Sequence, residues 1–339
     1  MIDIENHQEL RAYLVARELA AAGESIDCSN MHGGVSNRTV LVQFPENRRW
    51  VIKQALEKLR VKEDWFSDPE RIHHEAEGLR ALQMLTPQGA VPGFIFEDHE
   101  QHILIMEAVP EPHENYKTLL LSTAPQKSHV IEFATLLSDI HINSAKTTQL
   151  SSLFDNACFF ENLRLDPYYA FSAGQLPAAA PFLRNLIRQT KNRKLTLVHG
   201  DYSPKNILIH HERLVLLDHE VIHIGDPAFD IGFAMAHFLS KANYHRQYRQ
   251  EFGDAACLFW TTYYNNVRGA PWEEYLEHYC IAHSLACLLA RVVGKSPLEY
   301  LNEEQRILQR NIVTNLIIDI PRSMISLIQQ FSESLNQNE

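Results

Sequence analysis

The chain has 339 residues, of which 45% are hydrophobic, 9% aromatic and 22% charged. That balance supplies a sizeable core and excludes disorder, collagen and coiled coil as the main architecture, and the length suggests two lobes. A formal net charge of −11 argues against a nucleic-acid partner, which would need a basic stripe, and leaves cationic small molecules as partners.

The first residues, MIDIENHQELRAYL, carry acids where a targeting peptide carries bases, and their apolar positions predict a helix over 5–22. The five cysteines are widely spaced and form no C-x-x-C pair, so neither a disulfide framework nor a thiolate zinc site is expected. A reducing, cytoplasmic setting follows. A membrane span needs roughly 18 uninterrupted apolar residues. The nearest candidate, 281–293, is broken by His283 and Arg291, so no membrane partner is expected.

After Gly23 the pattern becomes β-type. Runs at 38–44 and 49–54 flank Pro45-Glu46-Asn47, which reads as a hairpin turn. Asp68 and Pro69 then suit the cap and first position of a helix reaching Met84, with Ile72, Ala76, Leu79 and Leu82 on its buried face. Strands at 93–96 and 102–107 complete an antiparallel set. Beyond Val109-Pro110-Glu111-Pro112 the periodicity is helical, at 114–121, 125–145, 178–193, 230–241, 245–264, 274–293 and 302–332. Short β-branched and aliphatic runs at 194–198, 206–210 and 213–217 interrupt it. The expected fold class is α+β, with a small β-rich lobe over 1–107, led by a helix, and a larger helical lobe over 108–339.

The interruption carries the chemistry. It reads His199-Gly200-Asp201-Tyr202-Ser203-Pro204-Lys205-Asn206, then a strand, then Leu217-Asp218-His219-Glu220. A carboxylate followed five residues later by an amide, with a second carboxylate at the end of the next strand, suits phosphoryl transfer. One acid accepts a hydroxyl proton, while Asn206 and Asp218 hold magnesium on the phosphates. Any one of these residues alone would read as a turn or cap. Upstream, His32-Gly33-Gly34-Val35-Ser36-Asn37 offers small residues whose backbone N–H groups can approach phosphate, although Gly-Gly before a strand is ordinarily just a turn. Lys53 ends a strand from which its ammonium can reach phosphates, and Glu75 on the next helix can hold it. Glu77, two residues on, cannot share that face.

These segments, GGVSN, VIKQA, HGDYSPKN, LLDHE and GDPAFDIG, span 33–232 in order. The chain thereby resembles the aminoglycoside phosphotransferase and choline kinase superfamily of small-molecule kinases. The resemblance implies a protein-kinase-like two-lobe fold, ATP bound between the lobes, Asp201 as catalytic base, and Asn206 with Asp218 as Mg²⁺ ligands. It implies Glu220 as the acid of a DxE variant near a second metal, Asp230 as a structural partner of the catalytic-loop backbone, and main-chain groups of Glu107 and Val109 as the adenine contacts. Ser203 stands where a protein kinase has lysine, and no Ala-Pro-Glu segment follows, so a polypeptide acceptor is not expected.

In the first lobe, Lys53-Gln54-Ala55-Leu56, Arg60-Val61 and Trp65 are similar to the lysine strand and tryptophan loop of 5-methylthioribose kinases. Against this, the metal loop reads Asp-His-Glu rather than Asp-Pro-Glu, and the second lobe has no adjacent arginine pair. The leading expectation is a kinase for a 5-methylthioribose-like sugar. An aminoglycoside phosphotransferase and a non-catalytic nucleotide-binding regulator are the alternatives.

His219-Glu220-Val221-Ile222-His223 is a literal HExxH, yet it follows a strand-like run and precedes a turn. The helix that zinc-protease chemistry requires is missing. His73-His74 and His210-His211 have no third ligand nearby and read as surface or cap residues. Trp272, Glu273, Glu274, Tyr275 and Glu277 suggest either a cradle for a cationic substrate or an acidic first helical turn. Arg291, in an apolar face, needs a partner, either an internal carboxylate or a ligand anion.

Overall fold

The computed structural model describes residues 1–31, 36–60 and 66–337. They form two compact units, Met1–Glu111 and Pro112–Glu339.

The first unit runs α1 (His7–Ala16), β1 (Asp27–Asn30), β2 (Asn37–Gln43), β3 (Arg49–Ala55), α2 (Arg71–Leu85), β4 (Phe94–Asp98) and β5 (Ile103–Glu107). Its strands make one antiparallel sheet in the order β1-β2-β3-β5-β4. Leu10, Tyr13 and Leu14 of α1 pack with Val40, Val42, Trp50, Ile52, Ile103 and Ile105 on one face. Because side chains alternate along a strand, Lys53 points to the opposite face, where α2 lies.

The second unit continues with β6 (His113–Asn115), α3 (Tyr116–Ser122), α4 (Lys127–Ala145), α5 (Thr148–Leu153) and α6 (Cys158–Phe160). A π-helical stretch, Glu161–Ala170, follows with Pro167 inside it, and leads to α7 (Phe171–Gln175) and α8 (Ala180–Lys191). Then come β7 (Thr196–Val198), β8 (Ile207–His210), β9 (Arg213–Leu216), β10 (His223–Gly225), α9 (Ala228–Tyr244), α10 (Arg249–Asn266), α11 (Glu273–Val293), α12 (Glu303–Ile318) and α13 (Met324–Gln337). The small strands form two antiparallel groups, β6-β8-β9 and β7-β10. Helix α9 is buried from Ala228 to Asn243 and packs on α11, where Gly232 lets the helices close up. A Cβ there would sit 2.5 Å from His283 Cβ. By length and composition α11 could cross a membrane, but 67% of its apolar window is buried inside the protein, the pattern of a core helix.

Several expectations change. Helix α1 stops at Ala16, six residues early, with Arg17 closing its last turn. Helix α2 starts at Arg71 rather than Pro69, and Asp68 Oδ1 accepts the Glu70 N–H at 3.0 Å. The run 302–332 is two helices, α12 and α13, broken around Pro321, which cannot supply an interior helical N–H. Strands β1, β6 and β10 and the 158–175 helical stretch were not expected. The strands are only three or four residues long, and β1 and β6 read DCSN and HEN, without apolar alternation.

Candidate active site

The hinge of the second-unit site is the turn after β7. Gly200 adopts φ +77°, and a Cβ there would meet Val221 Cγ2 at 2.9 Å and Val221 O at 3.0 Å, so only glycine fits. The backbone N–H groups of His199 and Gly200 donate to Asp230 Oδ2 and Oδ1 at 2.7 and 2.8 Å. Asp230 is fully buried at the start of α9, and His141 Nε2 stands 3.3 Å from its Oδ2. Burial alone would raise this carboxyl. The His141 hydrogen bond and charge and the Gly200 N–H outweigh it and hold the group below the ordinary aspartate value. The anchoring role expected of Asp230 is thus visible as two main-chain hydrogen bonds.

His199 locks the loop from the other side. Its Nδ1 accepts the Asp201 N–H at 3.2 Å, so the proton resides on Nε2, 3.2 Å from Leu217 O and 3.3 Å from His219 Nδ1. Burial lowers the His199 pKa, which keeps the ring neutral and this tautomer in place.

Asp201 Oδ2 receives Asn206 Nδ2 at 2.7 Å and Arg164 Nη2 at 2.9 Å. The Asn206 amide also donates to Asp201 O at 3.0 Å, while Leu217 N–H donates to Asn206 O at 2.8 Å. These contacts use the nitrogen arm of Asn206 and leave Oδ1 outside them as a hard acceptor. Asp218 follows β9 with φ +69°, a left-handed backbone that a non-glycine residue adopts at a cost. Glu220 is buried two residues on.

Arg164 was not anticipated. Its Nε donates to Gly200 O at 2.9 Å, and its guanidinium lies against the Tyr168 ring. Burial works against its charge, but Asp201, then Tyr168, Glu220 and Asp218, raise its pKa, so it stays cationic amid the acids named from the sequence. It sits in the π-helical stretch, 36 residues from its Gly200 O partner. No local spacing announces such a contact.

In the first unit, Lys53 Nζ meets Glu75 Oε1 at 2.5 Å, with Glu75 fully buried. Ser36 and Asn37 are buried at the head of β2. Ser36 O accepts Leu56 N–H at 3.0 Å and the Arg71 guanidinium. Glu107 N–H donates to Gly93 O at 2.8 Å and Ala108 N–H to Arg49 O at 3.0 Å. Those bonds use neither the Glu107 carbonyl nor the Val109 N–H. Gly33, Gly34, Val61 and Trp65 lie outside the described residues.

The remaining candidates resolve plainly. His223 opens β10 and stacks on Phe160 with centroids 4.0 Å apart, so the HExxH segment is no helix and its two imidazoles do not share a helical face. Glu273 Oε2 accepts Gly269 N–H at 2.6 Å and Glu277 Oε1 accepts Met324 N–H at 2.8 Å, so both cap backbone. Arg291 finds neutral partners, Ser296 O at 2.7 Å and Tyr168 Oη at 2.9 Å.

The hard-oxygen donor set of Asn206, Asp218 and Glu220 fits a magnesium ion, and an ammonium beside a buried carboxylate fits a phosphate contact. Comparison with known proteins agrees with this chemistry. Residues 27–280 match the model of the phosphotransferase enzyme family. No curated protein sequence matches the chain. Among solved structures, an amicoumacin kinase in complex with AMP-PNP, Ca²⁺ and Ami is 12% identical with TM-score 0.57, covering 94% of this chain and 97% of that one. A macrolide 2′-phosphotransferase from Brachybacterium faecium is 15% identical with TM-score 0.52, covering 93% and 99%. A choline/ethanolamine kinase family protein from Mesorhizobium loti is 13% identical with TM-score 0.52, covering 98% and 99%. At such identities the likeness is one of fold, the two-lobe protein-kinase-like fold. With the family model spanning most of its length, the chain belongs to the phosphotransferase enzyme family.

Proposed function

We propose that this phosphotransferase is an ATP- and Mg²⁺-dependent kinase that phosphorylates a hydroxyl of a sugar-like metabolite of the 5-methylthioribose kind. The observation that carries the mechanism is the Asp201 carboxylate. Arg164 and Asn206 both hold its Oδ2, which leaves Oδ1 to receive a hydroxyl proton. As the acceptor oxygen bonds to the γ-phosphorus, the bond from that phosphorus to the β–γ bridging oxygen breaks, ADP departs, and the proton passes to Asp201. Mg²⁺, held by Asn206 and Asp218 with Glu220 beside them, supplies neutralisation of the phosphate charge. Lys53, steadied by Glu75, takes the α and β phosphates. Backbone groups around Gly33, Gly34, Ser36 and Asn37 cradle them. The Glu107 carbonyl and Val109 N–H meet the adenine.

The sugar-like acceptor rests on the first-lobe resemblance, with Gln54 buried beside Lys53 and bonded to Ile2 O at 2.9 Å. A polycationic acceptor is less well supported. Two of the three carboxylates that would cradle it, Glu273 and Glu277, accept backbone N–H groups, and Arg164 places a cation at the base. The test is ADP release with Mg²⁺ and ATP across 5-methylthioribose, other pentoses, choline, homoserine and several aminoglycosides. Stimulation by a pentose supports the assignment. Stimulation by an aminoglycoside alone overturns the acceptor class.

A further inference from the structure

Away from the candidate active site, three histidines and two glutamates converge where α2 begins and the β4–β5 connection turns. His73, in the first turn of α2, is 6% exposed. Its Nδ1 lies 2.7 Å from Glu97 Oε1, and that carboxylate holds the ring proton on Nδ1. The lone pair on Nε2 therefore faces His102 Nδ1, 3.1 Å away. Glu70 Oε1 lies 3.6 Å from the same His102 nitrogen. His99 stacks face to face on His73 with centroids 3.9 Å apart and turns its Nε2 to Glu97 Oε1 at 3.3 Å, so its ring must rotate to ligate an ion, and one donor atom each from Glu70, His73 and His99 lies within 4.8 Å of the others.

Zinc binds imidazole nitrogen at about 2.0–2.1 Å in a tetrahedral shell, so its donor atoms stand about 3.4 Å apart. The His73–His102 and His102–Glu70 spacings bracket that distance. We propose that Glu70, His73, His99 and His102 form a binding site for a transition-metal ion of the zinc class. Imidazole donors suit zinc, cobalt or nickel and not magnesium, so the site is chemically separate from the oxygen donors of the second unit. Glu97 is the carboxylate behind His73, a common support for a metal-bound imidazole, and Arg80 in turn pairs with Glu97. His102 takes a left-handed φ of +48°, and its ring reaches His73 of α2. His73 and Glu97 form the buried, preset half, while Glu70 and His99, with side chains 58% and 70% exposed, form the adjustable half. A bound ion would staple the β4–β5 turn to the helix that carries Glu75.

The adjacent pair His73-His74 reads from the sequence as a surface or cap feature because it has no third ligand nearby. The structure buries His73 against Glu97, which corrects the surface reading for that residue.

The test is cobalt titration of the full chain, stripped with chelator and kept in excess Mg²⁺, followed by visible absorption. One saturable equivalent with intense tetrahedral-type bands, displaced by Zn²⁺, is expected. The variants His99→Gln and His102→Gln should each weaken binding at least tenfold, and Glu97→Gln by about 10–100-fold. Zinc should raise the melting temperature of the wild type and not that of the doubly substituted chain. His99 is exposed, so its variant should fold normally, which circular dichroism checks. Absence of a saturable band, or equal affinity in the double variant, overturns the site, since cobalt would then sit on others of the eighteen histidines. Either outcome is independent of ATP turnover.

Discussion

Asp201, Asn206, Asp218 and Asp230 of the second unit all lie within thirty residues of chain, and the turn that presents them is fixed by paired hydrogen bonds from buried groups. The first unit works differently, bringing Lys53 from the middle of a sheet to Glu75 on a helix that follows a loop. Apart from Arg164, the second unit's candidate site is local and preset by its backbone. The first unit's depends on how one helix docks against one sheet face. Damage should therefore propagate differently in the two.

The largest loss is expected at Asp201, where Asp201→Asn, which keeps an acceptor for Arg164, should cost about 10²–10⁴ in turnover. Next is Asp230→Ala, which removes a fully buried carboxylate from His141 and two N–H groups. A loss of about 3–5 kcal/mol in urea unfolding is expected, and activity should fall with it. Lys53→Met leaves Glu75 buried without its lysine, so the first unit should lose stability by up to about the same amount. Here, however, Lys53→Met with Glu75→Leu should recover the stability and not the turnover, because a docked apolar pair can replace the ion pair's packing but not its charge. Recovery of turnover in that double variant would contradict the role assigned to Lys53.

A further expected effect is a pH slope, seen only when the protein is unfolded across the acid range. His283 is buried between Tyr169 Oη at 2.9 Å and Thr190 Oγ1 at 3.4 Å, and burial, with the nearby Arg193 charge, lowers its pKa to about 3. The unfolded chain binds a proton there below about 6.5 and the folded one does not. Stability from this group is complete above pH 6.5 and is lost as pH falls from 6.5 towards 3, at about 1.4 kcal/mol per unit. His283→Gln should flatten that part of the pH profile of unfolding, with the acid limb from Asp230, whose pKa is depressed, remaining below it.

What was legible in the sequence follows the same division. The turn at 199–206, the strand that follows it and the Asp230 anchor were readable because their spacing is short and set by one hairpin. The Lys53–Glu75 pairing was readable because strand and helix periodicities each fix a face. Arg164 was not, since its partner lies across a helical stretch whose π-type turns no 3.6-residue period reveals. The His73 cluster was equally hidden, its ligands coming from a helix start and a hairpin turn. Polar edge strands such as β1 and β6 escaped for want of apolar alternation.

The most direct measurement compares wild type with Asp201→Ala for Mg²⁺–ATP affinity by calorimetry and for acceptor-stimulated ADP release in the same preparations. The account predicts affinities within a few-fold of each other and ADP release lower by at least about a hundredfold. Undiminished ADP release in Asp201→Ala would contradict it.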